Sequence, residues 1–202
     1  MTDEGYIKYT FDWIKKPIVL QPEVLEELNL FRSKLRDLNM IGKIPDGPGF
    51  GNISVRSTGD TFFISGGDTG SLELLEAEQV ALVNHCDYLQ NRIVFEGLIA
   101  ASSESMSHAA IYQQSKDVGA VIHVHHAKFW NHYRNLLPTT EVDAAYGTPA
   151  IAKAIAQKTV KSPKTKLLIL GGHEDGIISY GSNLHEAFDL LIQWYGDLPQ
   201  KS

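Results

Sequence analysis

The run Val121-Ile122-His123-Val124-His125-His126 carries the most chemically distinctive pattern in the chain. On a strand, alternate side chains share a face. His123 and His125 therefore point the same way, and their ring nitrogens can meet at one ion, while Val124 and His126 face the other side. The plainer alternative is a pair of imidazoles at the end of a buried strand that satisfy backbone groups. A third histidine lies in Leu170-Gly171-Gly172-His173-Glu174-Asp175-Gly176. Glycine lets backbone approach a site closely and adopt positive φ, so His173 can supply a third nitrogen. Three protein ligands and an open position are typical of catalytic zinc. A hairpin turn with an exposed histidine fits the same residues, because His173 lies 48 positions after His125 and that separation carries no spacing information.

A third candidate segment is Ala101-Ser102-Ser103-Glu104-Ser105-Met106-Ser107-His108. Serines at a helix start offer hydroxyls and unpaired backbone N–H groups, a natural anion site. Glu104 reads either as a metal ligand or general acid/base, or as a first-turn acid that caps the helix and favours its dipole. His108, four residues on, falls on the same helix face. It either orients Glu104 or is a satisfied core histidine. In Gly49-Phe50-Gly51-Asn52-Ile53-Ser54, Gly51 and Asn52 enter a strand where backbone N–H and an amide can hold phosphate or carboxylate; a plain turn is the competing reading. His85, His132 and His185 have no constellation around them, and Glu174 and Asp175 are either supports for His173 or ordinary loop acids.

These residues need a frame. Pro22 opens a helix with Leu25, Leu28, Phe31, Leu35 and Leu38 at helical spacing, and Gly42 stops it. A glycine-rich loop with Gly47, Gly49 and Gly51 follows. Strands are expected over Asn52–Arg56, Thr61–Ser65, Val80–Val83, Arg92–Phe95, Ala120–His125, Lys166–Leu170 and Gly176–Tyr180. Helices are expected from about Ser102 to Ser115, over Phe129–Asn135, from Pro149 behind Thr148 to about Val160, and after the cap Asn183, with Leu184, Ala187, Phe188, Leu191 and Ile192 on one face. Residues 1–20 are aromatic but aperiodic and read as an N-terminal arm docked on the body or on a neighbouring subunit; residues 21–202 read as one domain. Strands joined by tight turns exclude a wholly parallel sheet, so the class is α/β with a mixed sheet and helices on both faces.

With 202 residues, 43% hydrophobic and 21% charged, the composition is that of an ordinary globular protein. The net charge of −6 and the lack of a basic stripe argue against nucleic acid as a partner. Four lysines between Lys158 and Lys166, broken by Ser162 and Pro163, read as a solvated helix end. Cys86 is the single cysteine, so no internal disulfide forms, and it reads as an inert thiol near a strand end. No leader pattern and no apolar run of about 20 residues is present. The expectation is a cytoplasmic protein without a membrane partner.

Taken together, Gly51-Asn52-Ile53-Ser54-Val55-Arg56, Phe63-Ile64-Ser65 with the glycine loop after it, Ser102-Ser103-Glu104, Ala120-Val121-Ile122-His123-Val124-His125, Tyr146-Gly147-Thr148 and Gly171-Gly172-His173 through Gly181 resemble the class II aldolase/adducin family, in order and in spacing, over roughly residues 25–195. The resemblance implies a three-layer α/β/α sandwich with a mixed, largely antiparallel central sheet. It implies a divalent metal, usually zinc, on His123, His125 and His173, and an acid at Glu104 that ligates the resting metal and moves a proton on substrate. Gly51, Asn52, Ser102 and Ser103 match phosphate-binding positions. A further phosphate segment falls at Gly67–Gly70, with Thr69-Gly70 matching by type and Gly67-Asp68 by spacing. Four-fold tetramers with sites at subunit boundaries are implied as well. The chain departs from the family in having Glu174 after the histidine where many members carry glycine, and in lacking an obvious counterpart of the aldolases' acid-supplying tyrosine, for which Tyr133, Tyr146 and Tyr180 are candidates.

The implied activity is that of a metal-dependent lyase, first an aldolase, acting on a sugar phosphate or related hydroxy-carbonyl compound through an enediolate. Pentulose-phosphate epimerisation, methylthioribulose-phosphate dehydration and decarboxylation are the alternatives on the same site. An adducin-like scaffold without catalysis is the alternative of another class. Zinc is the default for imidazole ligands, with manganese, cobalt or iron as other occupants.

Overall fold

The computed structural model describes residues 6–199, so the first five residues of the segment expected as an arm lie outside the described residues. Within it the chain forms β1 (Thr10–Ile14), α1 (Pro22–Asp37), the short hairpin β2 (Gly42–Lys43) and β3 (Gly49–Phe50), β4 (Asn52–Arg56), β5 (Phe62–Ser65), β6 (Val80–Asp87) and β7 (Arg92–Glu96). It continues with α2 (Ser105–Gln114), β8 (Ala120–His125), α3 (Ala127–Tyr133), α4 (Pro149–Lys161), β9 (Leu167–Ile169), β10 (Gly176–Gly181) and α5 (Leu184–Gly196).

Eight strands make one sheet in the order β1-β7-β6-β5-β4-β8-β10-β9. Every pairing in it is antiparallel except β1 with β7. Helices α2 and α4 cover one face and α1, α3 and α5 the other, giving two separate apolar cores. The expected three-layer α/β/α sandwich with a mixed, largely antiparallel sheet is the fold observed. Strand alternation sorts the side chains: Val121 packs in the α2/α4 core, whereas Ala120, Ile122 and Val124 pack in the other.

Helix α2 is buried all round from Ser105 to Tyr112. Its small residues (Ser105, Ser107, Ala109 and Ala110) let α4 approach with its own Ala152, Ala154 and Ala156, so the helix lies sandwiched between sheet and helix. An apolar stripe on one side would not be expected for such a position. Glu104 stands at its N-cap but makes no side-chain capping bond; Ser102 Oγ instead accepts the Glu104 N–H at 3.2 Å.

The structure departs from the sequence expectations at three elements. Thr10–Ile14, aperiodic in sequence, is a parallel edge strand whose residues are mostly exposed. Backbone pairing to β7 holds it, with Trp13 Nε1 donating to Gly97 O at 2.8 Å, and this needs no apolar alternation. The glycine loop before Asn52 contains the β2–β3 hairpin. Strand β6 runs past Val83 to Asp87 through an irregularity between Val83 and His85, which breaks the period of two. Cys86 is buried, and burial pushes its thiol up to about 12, consistent with an inert group. Among the described residues no helix is long and apolar enough to cross a membrane.

The cap of α5 is built as its sequence suggests. Asn183 Oδ1 accepts the Glu186 N–H at 2.8 Å. The Glu186 carboxylate in turn pairs with Lys166 Nζ and accepts from Ser182 N and Oγ, each at 2.7 Å. These partners, Lys166 first, hold Glu186 down at about 2 from an ordinary value of 4.5. A depressed carboxylate contributes stability above its unfolded value, and that contribution disappears as pH falls from about 4.5 through about 2. The Glu186→Gln variant should therefore unfold in acid with a shallower loss of stability over that window. At pH 7 it should cost under about 1 kcal/mol, because the pair is solvent-accessible. Urea unfolding at pH 7, 4 and 2.5 checks this; parallel stability curves for the two proteins would refute it.

Candidate metal centre

Strand β8 lies between β4 and β10, and its last residues form the floor of the site. His123 stands opposite Asn52 on β4 and Ile178 on β10, and His125 opposite Gly176. His173 comes from the turn Gly171–Asp175 that joins β9 to β10. That turn depends on its glycines. A Cβ on Gly171 would lie 2.1 Å from Thr140 O, and one on Gly172 would lie 2.1 Å from Ala144 O. The close approach threads the turn between neighbouring backbones and turns His173 back over β8.

The three histidines converge. One ring nitrogen from each of His123, His125 and His173 lies within 4.8 Å of the others, within reach of one ion. His123 and His125 bring their Nε2 atoms to 3.2 Å. The His123 Nδ1 lies 3.1 Å from Ile177 O. A carbonyl only accepts, so the proton belongs on Nδ1 and a lone pair on Nε2. This is how a backbone carbonyl sets the tautomer of a ligating histidine. Burial first, then the neighbouring His123 and His173, holds His125 well below the ordinary histidine range, which keeps it in the neutral form that a cation requires.

Glu104 completes the arrangement. It is 1% exposed, its Oε1 lies 3.6 Å from His173 Nδ1, and neither of its oxygens has a hydrogen-bond partner among the described residues. An ionised carboxylate buried without donors is costly. A cation among three neutral imidazoles would offset that cost, so the donor set fits a divalent metal.

The anion-binding candidates divide. Asn52 is buried beside His123, with no partner for Oδ1 among the described residues. Ser102 and Ser103 sit at the start of α2, and Ser103 Oγ accepts the Tyr146 O–H. Gly51 adopts φ +75° and packs on Ile41, where a Cβ would approach to 2.6 Å. Thr69 and Gly70 belong to a separately braced loop. Thr69 Oγ1 donates to Gly66 O at 2.8 Å, buried Arg32 donates to Thr69 O at 2.7 Å, and a Cβ on Gly70 would strike Gly42 O at 2.1 Å. Gly70 thus seats the β2–β3 hairpin and borders a second cavity shared with Arg36 and Lys43 rather than the one beside the histidines. The His108 ring makes no hydrogen bond to the Glu104 carboxylate: its Nδ1 bonds Ser54 Oγ at 2.7 Å, and Ser54 Oγ lies 2.8 Å from Tyr112 OH, a buried chain in the core. Glu174 and Asp175 line the mouth of the histidine cavity.

A scan against family models matches residues 47–194 to the class II aldolase and adducin N-terminal domain. The chain belongs to the class II aldolase and adducin family. Class II aldolases use a divalent metal, and membership supports a lyase-type enzyme of the aldolase kind. Among solved structures, an L-fuculose 1-phosphate aldolase is 22% identical, with TM-score 0.65, over 91% of this chain and 92% of that one. An L-fuculose-1-phosphate aldolase from Thermus thermophilus is 19% identical with TM-score 0.60, covering 86% and 90%. A sugar-phosphate aldolase from Thermotoga maritima is 14% identical with TM-score 0.61, covering 86% and 91%. At such identities the likeness establishes the shared fold. Among curated proteins no sequence matches the chain significantly.

This class II aldolase family member has site residues that its sequence did not single out. A cavity of about 580 Å³ opens beside His125 and His173, walled by Phe50 and Lys8 together with Tyr146, one of the three candidate tyrosines. Phe50 packs 5.6 Å from the His125 ring, carried there by the hairpin. Tyr9 donates to Ala101 O at 3.1 Å and to Ser102 O at 3.0 Å, pinning the turn that presents Ser103 and Glu104. No spacing rule could have found these contacts, because Lys8 and Tyr9 lie more than ninety positions from the segments they brace.

Proposed function

We propose that this chain is a divalent-metal-dependent aldolase-type lyase acting on a sugar phosphate or a related hydroxy-carbonyl substrate. The observation that carries the reading is the Glu104 carboxylate, buried without a hydrogen-bond donor among the described residues and 3.6 Å from His173 beside the converging His123 and His125. His123, His125 and His173 would hold the metal, with Glu104 as a further ligand at rest. Zinc suits three imidazoles, and manganese, cobalt or iron suit the same nitrogens. When bound, the metal supplies Lewis-acid polarisation of adjacent carbonyl and hydroxyl oxygens.

The protein's own residues do the rest. Glu104 takes and returns the carbon-bound proton of the substrate, a role for which its burial and the lack of competing donors among the described residues leave it available. Asn52, Ser102 and Ser103, with Gly51, would grip the phosphate, and Thr69 and Gly70 would support that grip from a distance by bracing the β2–β3 hairpin. Fixing that tail orients the reacting carbons and removes rotational freedom before reaction. A homotetramer belongs to the same reading and is supported by the family resemblance.

The test is proton exchange on dihydroxyacetone phosphate in deuterated water with the zinc-loaded protein. Wild type should exchange a carbon-bound proton. Glu104→Gln, which keeps the shape and removes the base, should exchange about 100-fold or more slowly, the usual worth of a positioned acid/base. An equal rate in the variant would remove Glu104 from the chemistry, and no exchange by wild type would count against the aldolase reading.

A further inference from the structure

Of the three tyrosines that could serve the site, only Tyr146 touches it. The Tyr133 hydroxyl donates to Trp194 O at 2.9 Å on the far face of the sheet, and Tyr180 packs in the α2/α4 core. Tyr146 is 6% exposed, its ring centroid lies 4.5 Å from that of His173, and its hydroxyl bonds Ser103 Oγ. A phenol is more acidic than an alcohol, so it is the stronger donor and the weaker acceptor of the two. The proton in this bond is that of Tyr146, and Ser103 Oγ is the acceptor.

Ser103 then keeps its own hydroxyl proton. It is 7% exposed, and that proton has no acceptor among the described residues. A hydroxyl carries one donor and two acceptor lone pairs. With one lone pair filled by Tyr146, the remaining proton is available to something outside the chain. Asn52, also 7% exposed and with Oδ1 unpartnered among the described residues, lies beside His123 on the face that α2 covers. Two buried polar side chains near the start of α2 thus have hydrogen-bonding capacity that no described residue uses, a cost the fold carries unless a ligand relieves it.

We propose that Tyr146 is a positioning residue that acts through Ser103: by donating to Ser103 Oγ it commits the Ser103 hydroxyl to donate to a phosphate oxygen of the substrate. The inference rests on the reading of a phosphorylated substrate given above. Tyr146 thereby joins the phosphate grip to the histidine centre, since the same ring packs on His173 while its hydroxyl sets Ser103.

Calorimetric titration of inorganic phosphate into the zinc-loaded protein tests it, with zinc content measured on every sample. Tyr146→Phe retains the ring against His173 and removes only the hydroxyl. It should weaken phosphate binding about 10- to 100-fold, the scale of one hydrogen bond to a charged ligand, with zinc content equal to that of wild type. Ser103→Ala should weaken binding at least as much. The double variant should bind no more weakly than Ser103→Ala alone, because the two residues act as one unit. Wild-type affinity in Tyr146→Phe, losses that multiply in the double variant, or zinc lost on removing the hydroxyl would each overturn the role assigned to Tyr146. Failure of wild type itself to bind phosphate would overturn the phosphorylated-substrate reading along with it, so the two failures are distinguishable.

Discussion

Replacing His123 and His125 together by alanine should abolish metal binding. Wild type purified without a histidine tag and equilibrated with zinc should hold about one ion per chain by elemental analysis, as three imidazoles and a carboxylate provide. The double variant should retain less than about a tenth of that. The size of the effect follows from geometry. The two Nε2 atoms lie 3.2 Å apart, and the carbonyl of Ile177 holds His123 in the tautomer that presents a lone pair. Removing both leaves His173 and Glu104 alone, 3.6 Å from each other. A second readout is thermal. A ligand that binds only the folded state at about 1,000 times its dissociation constant adds about 4 kcal/mol, so zinc should raise the unfolding temperature of wild type and leave that of the variant unmoved. Equal, negligible zinc in both proteins would remove the metal centre and the lyase reading that depends on it.

A single methyl group at Gly172 should do nearly as much damage from outside the donor set. The added Cβ of Gly172→Ala would sit 2.1 Å from Ala144 O, 2.6 Å from the Ala144 carbonyl carbon and 3.0 Å from Val142 O. Backbone cannot swing aside as the tip of a flexible side chain can, so either the turn bearing His173 or the segment bearing Tyr146 must move. The two are tied together: Tyr146 N donates to Gly172 O at 3.3 Å, and its ring packs on His173. The expected cost is about 3 kcal/mol or more, at the upper end of overpacking effects, with a fall of about 6–12 °C in unfolding temperature for a chain of this size and at least tenfold weaker zinc binding. Gly196→Ala, where a Cβ meets nothing within 4 Å at the end of α5, is the control and should be close to neutral. If Gly172→Ala matches that control in stability and zinc affinity, the turn does not position His173 as described.

The sequence reached the fold because most elements print their own period or boundary. Pro22 and Pro149 open α1 and α4, Asn183 caps α5, and β8 reads as a continuous apolar strand because it is buried on both faces. The elements it missed have no such print. The edge strand β1 is held by backbone pairing and mostly exposed, and the β2–β3 hairpin is two residues a side. In such elements the side chains carry little of the pairing, so composition does not reveal it.

The site divides in the same way. That His123 and His125 share a face follows from strand geometry alone, and their convergence is local. That His173 and Glu104 meet them does not follow from spacing. His173 arrives because Gly171 and Gly172 let the turn press against the carbonyls of Thr140 and Ala144, and Glu104 because α2 starts beside β4 and β8 with Tyr9 pinning the turn before it. His108 shares a helix face with Glu104 in sequence yet bonds Ser54, because the sheet beneath α2 offers a hydroxyl closer at hand. Tyr146 was one of three equivalent tyrosines until packing set its ring on His173 and its hydroxyl on Ser103. Local periodicity thus paired His123 with His125 as residues suited to share a cation. Only the tertiary structure decided which other residues meet them, because contacts between segments tens of residues apart depend on strand order, layer packing and close backbone approach, none of which leaves a period in the chain.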